Sequence, residues 1–357
     1  MIYSAILAAF VLAGTTPETA ASGTAAWHQW RGPNMTGVAP QANPPTEWSE
    51  DKNIKWKAEI PGHGHSTPIV VGDLVILQTA IPANPPKENK DTEQAKAGEQ
   101  PPPSDGERER GEGRRRRGEG DGGPPPDGAR DGERAGRGDG PRGDGPPGDR
   151  GPGRGRGMRR EAPTEPYKFT VIALDRKTGK QVWERTVREV VPHEGCHGDG
   201  SLAPACPVAD GEHIIAYFGS RGLYCLTMKG DIVWEKDFGD MQTRAGFGEG
   251  SSPALHGDTI VVNWDHEGED FIIALDKKSG NEKWRQKRDE PTSWSTPLII
   301  ERDGRAQVIV SAANRVRSYD LKTGETIWEA GGLGVNCAPT PVADNALVFA
   351  MTGYQNP

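Results

Sequence analysis

A tryptophan recurs at near-fixed intervals in this chain, each time closing the same phrase. The phrase runs from Ala173 through Asp175, Thr178 and Gly179 to Trp183. It returns from Ala274 through Asp276, Ser279 and Gly280 to Trp284, and from Ser318 through Asp320, Thr323 and Gly324 to Trp328. A copy one residue shorter runs from Cys225 to Trp234. Successive tryptophans are 51, 50 and 44 residues apart. A period of about 40–50 residues marks a repeat architecture, and with four strands per unit it marks a β-propeller.

One unit reads strand by strand. Ser252 to Leu255 opens a strand, and His256, Gly257 and Asp258 turn it. Thr259 to Val262 is β-branched, Phe271 to Leu275 is a third apolar run, and Glu282 to Arg285 is an outer strand. Between the last two, Asp276 to Gly280 is a tight turn. Its glycine supplies a positive φ, and its Asp or Ser bonds back to the turn backbone. The small residue ten positions before each Trp (Ala173, Ala274, Ser318) leaves a recess where an indole can bury, so the tryptophans are expected to pack blades together. Trp234 in the shorter copy, and the glycines Gly179, Gly280 and Gly324, are assigned the same blade-docking role.

A second phrase marks each first strand: Thr67-Pro68, Cys206-Pro207, Ser252-Pro253, Thr296-Pro297 and Thr340-Pro341. Proline is tolerated at a strand's first position, where its missing N–H is not needed. The last four of these prolines are 46, 44 and 44 residues apart, so two independent phrases share one period.

The Ala-x-Asp-x-x-Thr-Gly-x-x-x-Trp phrase resembles the tryptophan-docking motif of the PQQ-like, quinoprotein-type β-propeller repeat family. That family includes quinoprotein alcohol dehydrogenases and the assembly factor BamB. The resemblance covers residues from about 27 to 357, outside one insertion. It implies an all-β propeller of four-stranded antiparallel blades, seven or eight in a full ring.

The first 14 residues are an apolar run of signal-peptide length, followed by small residues at Ala20, Ala21, Ala25 and Ala26. Residues 1–26 are therefore read as a signal peptide of an exported, periplasmic or envelope-associated protein. No later stretch is apolar enough to span a bilayer, so no membrane span is expected in the mature chain. The four cysteines permit disulfides in an oxidising compartment, with Cys196 and Cys206 the favoured pair, or else serve as small buried residues. A formal charge of −8 over 357 residues argues against nucleic acid as a partner.

Residues 27–81 are read as a closing outer strand around Trp56 and the start of the first blade. Residues 82–165 turn to Pro, Gly, Arg, Asp and Glu, with four consecutive arginines from Arg114 to Arg117. Such a composition is expected to be disordered, as an insertion between the second strand (Leu74 to Gln78) and third strand (Phe169 to Leu174) of one blade. Residues 166–357 carry the remaining blades. About five blades fit the rest of the sequence at this period, fewer than the resemblance implies, and the chain is expected to be an incomplete ring, C-terminally truncated.

Strand order places the loops entering each first strand, and those joining second to third strands, on one face. Five of the eight histidines fall there: His63, His65, His193, His197 and His266. Glu249, Asp265, Trp294 and Asn336 join them. Histidines with carboxylates can hold a metal or act as acid and base, or can bond the turns together. The resemblance to quinoprotein dehydrogenases implies paired adjacent cysteines and a calcium held by Glu, Asn and Asp. No two cysteines are adjacent here, and no Cys-x-x-Cys-His is present. No cofactor is therefore expected, PQQ and Ca²⁺ lacking support among the residues. The expected function is a non-catalytic scaffold that binds a protein, glycan or small ligand on this face. The alternatives are a BamB-like role in outer-membrane protein assembly and a PQQ- or metal-dependent oxidoreductase.

Overall fold

Every tryptophan phrase forms a β-hairpin, and in the three full-length copies the turn is closed by the phrase's own aspartate. In the computed structural model, which describes residues 27–39, 42–84, 159–344 and 347–352, Asp276 Oδ1 accepts the N–H groups of Lys278 and Ser279 and the Ser279 hydroxyl. The Gly280 N–H bonds the Asp276 carbonyl at 2.8 Å, and Gly280 sits at φ +68°. Asp175 with Thr178, and Asp320 with Thr323, repeat the arrangement. The short copy replaces Asp by Thr227, whose hydroxyl accepts the Lys229 and Asp231 N–H groups.

These hairpins are the outer halves of four antiparallel sheets, each of four strands. Blade one is Ile69–Val71, Leu74–Pro82, Tyr167–Asp175 and Gln181–Val190. Blade two is Val208–Ala209, His213–Tyr217, Leu223–Thr227 and Ile232–Lys236. Blade three is Ala254–His256, Thr259–Trp264, Phe271–Asp276 and Glu282–Lys287. Blade four is Leu298–Arg302, Arg305–Ser311, Arg315–Asp320 and Thr326–Gly331. Val342–Ala343 and Val348–Phe349 pair as two strands of a fifth sheet. The fold is thus an all-β array of propeller blades. All described residues belong to one compact unit.

The middle strands are largely buried because both their faces are covered. All six residues of Thr259–Trp264 are buried, whereas the outer strand Glu282–Lys287 fully buries only Trp284. The core lies between blades. Phe169 and Ile69 of blade one pack with Ile214 and Tyr224 of blade two. Tyr217 and Leu223 pack with Ile260 and Ile273 of blade three, and Ile272 and Val261 with Val308 and Tyr319 of blade four.

The indoles cross these interfaces. Trp183 Nε1 donates to the Met228 carbonyl at 3.0 Å, Trp234 to Lys277 at 2.8 Å and Trp284 to Leu321 at 2.8 Å. Each indole lies over the turn glycine of the next blade: Trp183 over Gly230, Trp234 over Gly280, Trp284 over Gly324. The recess is therefore made by the next blade's glycine. The small residue of the same blade (Ala173, Ala274, Ser318) is instead the ladder partner directly opposite its Trp. Trp328 packs among Leu298, Ile309 and the fifth sheet's Ala343 and Val348. Trp56 repeats the pattern on blade one, donating to the Arg176 carbonyl at 3.0 Å and covering Gly179. Residues 54–60 do this without pairing as a strand.

The Pro phrase holds the blades at their first strands. The Thr67 N–H bonds Cys206 Sγ, Cys206 N–H the Ser252 hydroxyl, Ser252 N–H the Thr296 hydroxyl, and Thr296 N–H the Thr340 hydroxyl, all at 3.0–3.1 Å. Residues 27–37 run along several first strands. Trp27 pairs with Val70, the His28 carbonyl accepts the Ala209 N–H, and Met35 packs against the fourth blade and fifth sheet. All four cysteines are buried and unpaired, so the Cys196–Cys206 bridge is not formed.

The expected signal peptide, residues 1–26, lies outside the described residues, as does most of the expected insertion, residues 85–158. Its two ends are described: the Ala83 N–H bonds the Pro166 carbonyl, and Arg159–Arg160 pairs with Cys196–His197. Among the described residues no helix is long and apolar enough to cross a membrane.

Candidate functional site

The loops above the first strands and between the second and third strands share one face, and carboxylates bond them to one another. Glu194 Oε2 accepts both the N–H and the hydroxyl of Thr243, at 3.2 and 2.6 Å. Glu267 Oε1 makes the same pair of bonds to Thr292, at 3.2 and 2.9 Å. The Thr292 hydroxyl in turn accepts the Arg244 N–H at 2.8 Å.

Glu249 is held by blade two. It accepts the Ser220 N–H at 2.7 Å, the Ser220 hydroxyl at 2.6 Å and Arg221 Nη1 at 2.7 Å. The Arg221 and Glu249 side chains are 6% and 8% exposed. Asp265 is enclosed further. Arg288 grips it with Nε at 2.6 Å and Nη2 at 3.0 Å, while Asn263 and Ser293 donate at 3.0 and 2.7 Å. Both charged side chains of that pair are fully buried. Burial works against the Arg288 charge, but the Asp265 carboxylate outweighs it and raises the guanidinium's pKa. Arg288 also donates to Tyr319 Oη at 2.6 Å, tying the loop to blade four.

The histidines do not converge. His63 and His65 are exposed and meet edge to face, with ring centroids 4.9 Å apart. His193 Nε2 bonds the Met241 carbonyl at 2.7 Å, with Asp240 at 3.4 Å from Nδ1. His197 packs on Phe247 and accepts the Asp199 N–H. His266 is buried: Nδ1 accepts the Gln242 and Gly268 N–H groups, and Nε2 bonds the Glu269 carbonyl. Trp294 Nε1 donates to the Gly248 carbonyl at 2.7 Å, and its ring lies on Gly250. Asn336 sits at φ +60°, and its buried Oδ1 has no partner among the described residues.

Of the expected residues, Glu249, Asp265 and Trp294 come together, around a cavity of ≈ 20 Å³ that Asn263 and Tyr217 also line. That volume is about one water molecule. Glu249, Asn263 and Asp265 are the residue types that would ligate calcium beside a quinone. They do not fit that role, because Arg221 and Arg288 already pair with both carboxylates and the cavity they line among the described residues is about the size of one water molecule. The one cluster of three mutually close metal-ligand types among the described residues is elsewhere, at the first turn of blade two: Asp210, Glu212 and His213. Lys277 bonds its Asp210.

Sequence reasoning placed Glu267 on this face, whereas Glu194, Thr243, Thr292, Arg221 and Arg288 were not singled out. Repetition relates only Thr243 and Thr292, which lie in corresponding entering loops; Glu194 lies in an entering loop and Glu267 between a second and a third strand, so no repeat marks their shared bonding. No local signal marks Arg288, whose partner lies 23 residues away.

Residues 168–356 match the family described as outer membrane protein assembly factor BamB. Among solved structures, BamB from Moraxella catarrhalis is 20% identical with a TM-score of 0.34, over 51% of this chain and 50% of its own. The quinohemoprotein alcohol dehydrogenase from Comamonas testosteroni is 12% identical with a TM-score of 0.37, over 52% of this chain and 38% of its own. A europium-containing methanol dehydrogenase is 22% identical with a TM-score of 0.28, over 40% and 25%. The chain spans half or less of the length of each. No curated protein matches its sequence.

Proposed function

The chain belongs to the PQQ-like repeat family of the outer membrane protein assembly factor BamB, and from that premise we propose that it is a non-catalytic binding scaffold of the cell envelope. One observation carries this reading: four carboxylates of the loop face are already engaged in holding loops together. Glu194, Glu249, Asp265 and Glu267 each accept hydrogen bonds from a neighbouring loop or strand end. A general base needs a carboxylate free to take a proton, and a metal needs carboxylates not already paired with arginine. Here the same groups rigidify a surface, which lowers the ordering cost of binding a partner.

The partner we favour is a protein, reached through exposed side chains of that surface such as His65, Asp199 and Arg244. The family description favours a role in outer-membrane protein assembly as the specific form of this function. The oxidoreductase alternative is disfavoured by the paired carboxylates.

A photocrosslinking residue placed in turn at His65, Asp199, Arg244 and, as a control on the opposite face, Asp303 tests the reading in envelope preparations. A discrete adduct from the first three positions and none from Asp303 is expected. Equal crosslinking from both faces, or none from either, would overturn it.

A further inference from the structure

A second cavity, of ≈ 240 Å³, opens on the same face between blades one and two. Its wall combines two kinds of side chain. His63 and Arg160 supply cationic or proton-donating groups, and Tyr167, Pro163, Leu202 and Ala80 supply apolar surface. The backbone fixes this arrangement. His63 exchanges both of its backbone hydrogen bonds with Ala80, and Arg160 pairs with Cys196 in a short ladder. Gly195 is required there, because a Cβ at that position would meet the Arg160 carbonyl.

Arg160 is the one cationic side chain lining the cavity, and it forms no ion pair among the described residues. The ion pairs near this region are Arg221 with Glu249 and His197 with Asp199, and among the described residues neither Arg160 nor His63 takes part in one. Glu161 also lines the cavity and, like Arg160 and His63, is exposed. Burial first, and then the charges of His65 and Arg160, hold the pKa of His63 below its usual value, so the neutral ring offers a hydrogen bond and Arg160 supplies the charge. An Arg fork matches a carboxylate, and an adjoining apolar wall suits a short hydrocarbon or aromatic body.

We propose that this cavity binds a small organic carboxylate, its oxyanion between Arg160 and His63 and its apolar body against Tyr167, Pro163 and Leu202. The inference rests on the reading of this face as a binding surface and adds to it a ligand class.

Benzoate is a suitable probe, titrated calorimetrically into the full chain, with benzamide and inorganic phosphate as comparisons. Saturable benzoate binding is expected, with benzamide and phosphate each at least about tenfold weaker, since one lacks the charge and the other the apolar body. Arg160→Gln and His63→Gln should each weaken benzoate by about tenfold or more, with thermal midpoints near the parent's. Unchanged affinity in both variants, equal affinity for benzamide or phosphate, or no saturable binding would overturn the proposal. If benzoate fails to bind while crosslinking from His65, Asp199 and Arg244 persists, this inference falls and the scaffold reading stands. If crosslinking fails while benzoate binds as described, the reverse holds.

Discussion

Replacing Gly280 by Ala tests how the blades adhere. Gly280 is constrained twice. Its φ is +68°, a region that costs an L-residue about 1–2 kcal/mol. A Cβ there would also lie 2.8 Å from Trp234 Cδ2 and 2.9 Å from Cε3, inside contact distance. Forcing a methyl into a filled interface costs about 1–3 kcal/mol. Gly280→Ala should therefore lose about 2–5 kcal/mol. Gly257 provides the control within the same blade. Its φ is +59°, and nothing lies within 4 Å of a Cβ built on it. Gly257→Ala should lose only the backbone share, about 1–2 kcal/mol. In a Trp234→Leu background the extra cost of Gly280→Ala should fall toward that control, a coupling of about 1–3 kcal/mol. Urea unfolding of the full chain followed by far-ultraviolet circular dichroism reads all of these, with unchanged slopes required for comparison. Equal losses at Gly280 and Gly257, or no coupling to Trp234, would refute the reasoning.

Three further outcomes follow from the same geometry. Thr296→Val removes the acceptor of the buried Ser252 N–H and should cost about 1–3 kcal/mol by urea midpoint, while Thr296→Ser should cost much less. Asp265→Asn leaves the Arg288 guanidinium buried without its counter-charge and should destabilise by about 3–5 kcal/mol in the same assay. The Ser279 hydroxyl, and then its N–H, hold the Asp276 carboxyl below its usual pKa. A depressed folded pKa contributes stability that is present above the unfolded value of about 3.9 and is lost as pH falls through the lower folded one. The gap in thermal midpoint between the parent and Asp276→Asn should therefore shrink from about pH 5 to about pH 2; a gap that stays constant would contradict the assignment.

The parts of this fold that were legible in the sequence are those repeated or local. The Asp276 to Gly280 turn needs only residues within five positions, and it forms as its composition implies. The tryptophan interval located every blade. The direction of packing was not legible, because Ala274 and Gly280 are both small and lie in one phrase. Only the ladder shows that Ala274 faces its own Trp284 while Gly280 receives Trp234. The hydrogen-bonded chain through Cys206, Ser252, Thr296 and Thr340 was present as a repeated residue before each proline, but its meaning depends on first strands lying side by side. Strand order gathered the five histidines on one face without setting their separations. His63 and His65 meet because one residue separates them on one loop, whereas His193 and His266 are bound by loops that no periodicity specifies. The path of residues 27–37 along the first strands follows no repeat at all.

The central proposal is that Glu194, Glu249, Asp265 and Glu267 serve to hold the loops together, not to seat PQQ and Ca²⁺. Titrating the purified full chain with PQQ in the presence of Ca²⁺, followed by quinone absorbance and thermal midpoint, tests it most directly. The account expects no saturable absorbance change and an unmoved midpoint. Stoichiometric quinone uptake with a raised midpoint, abolished by Glu249→Gln or Asp265→Asn variants that remain folded, would contradict it.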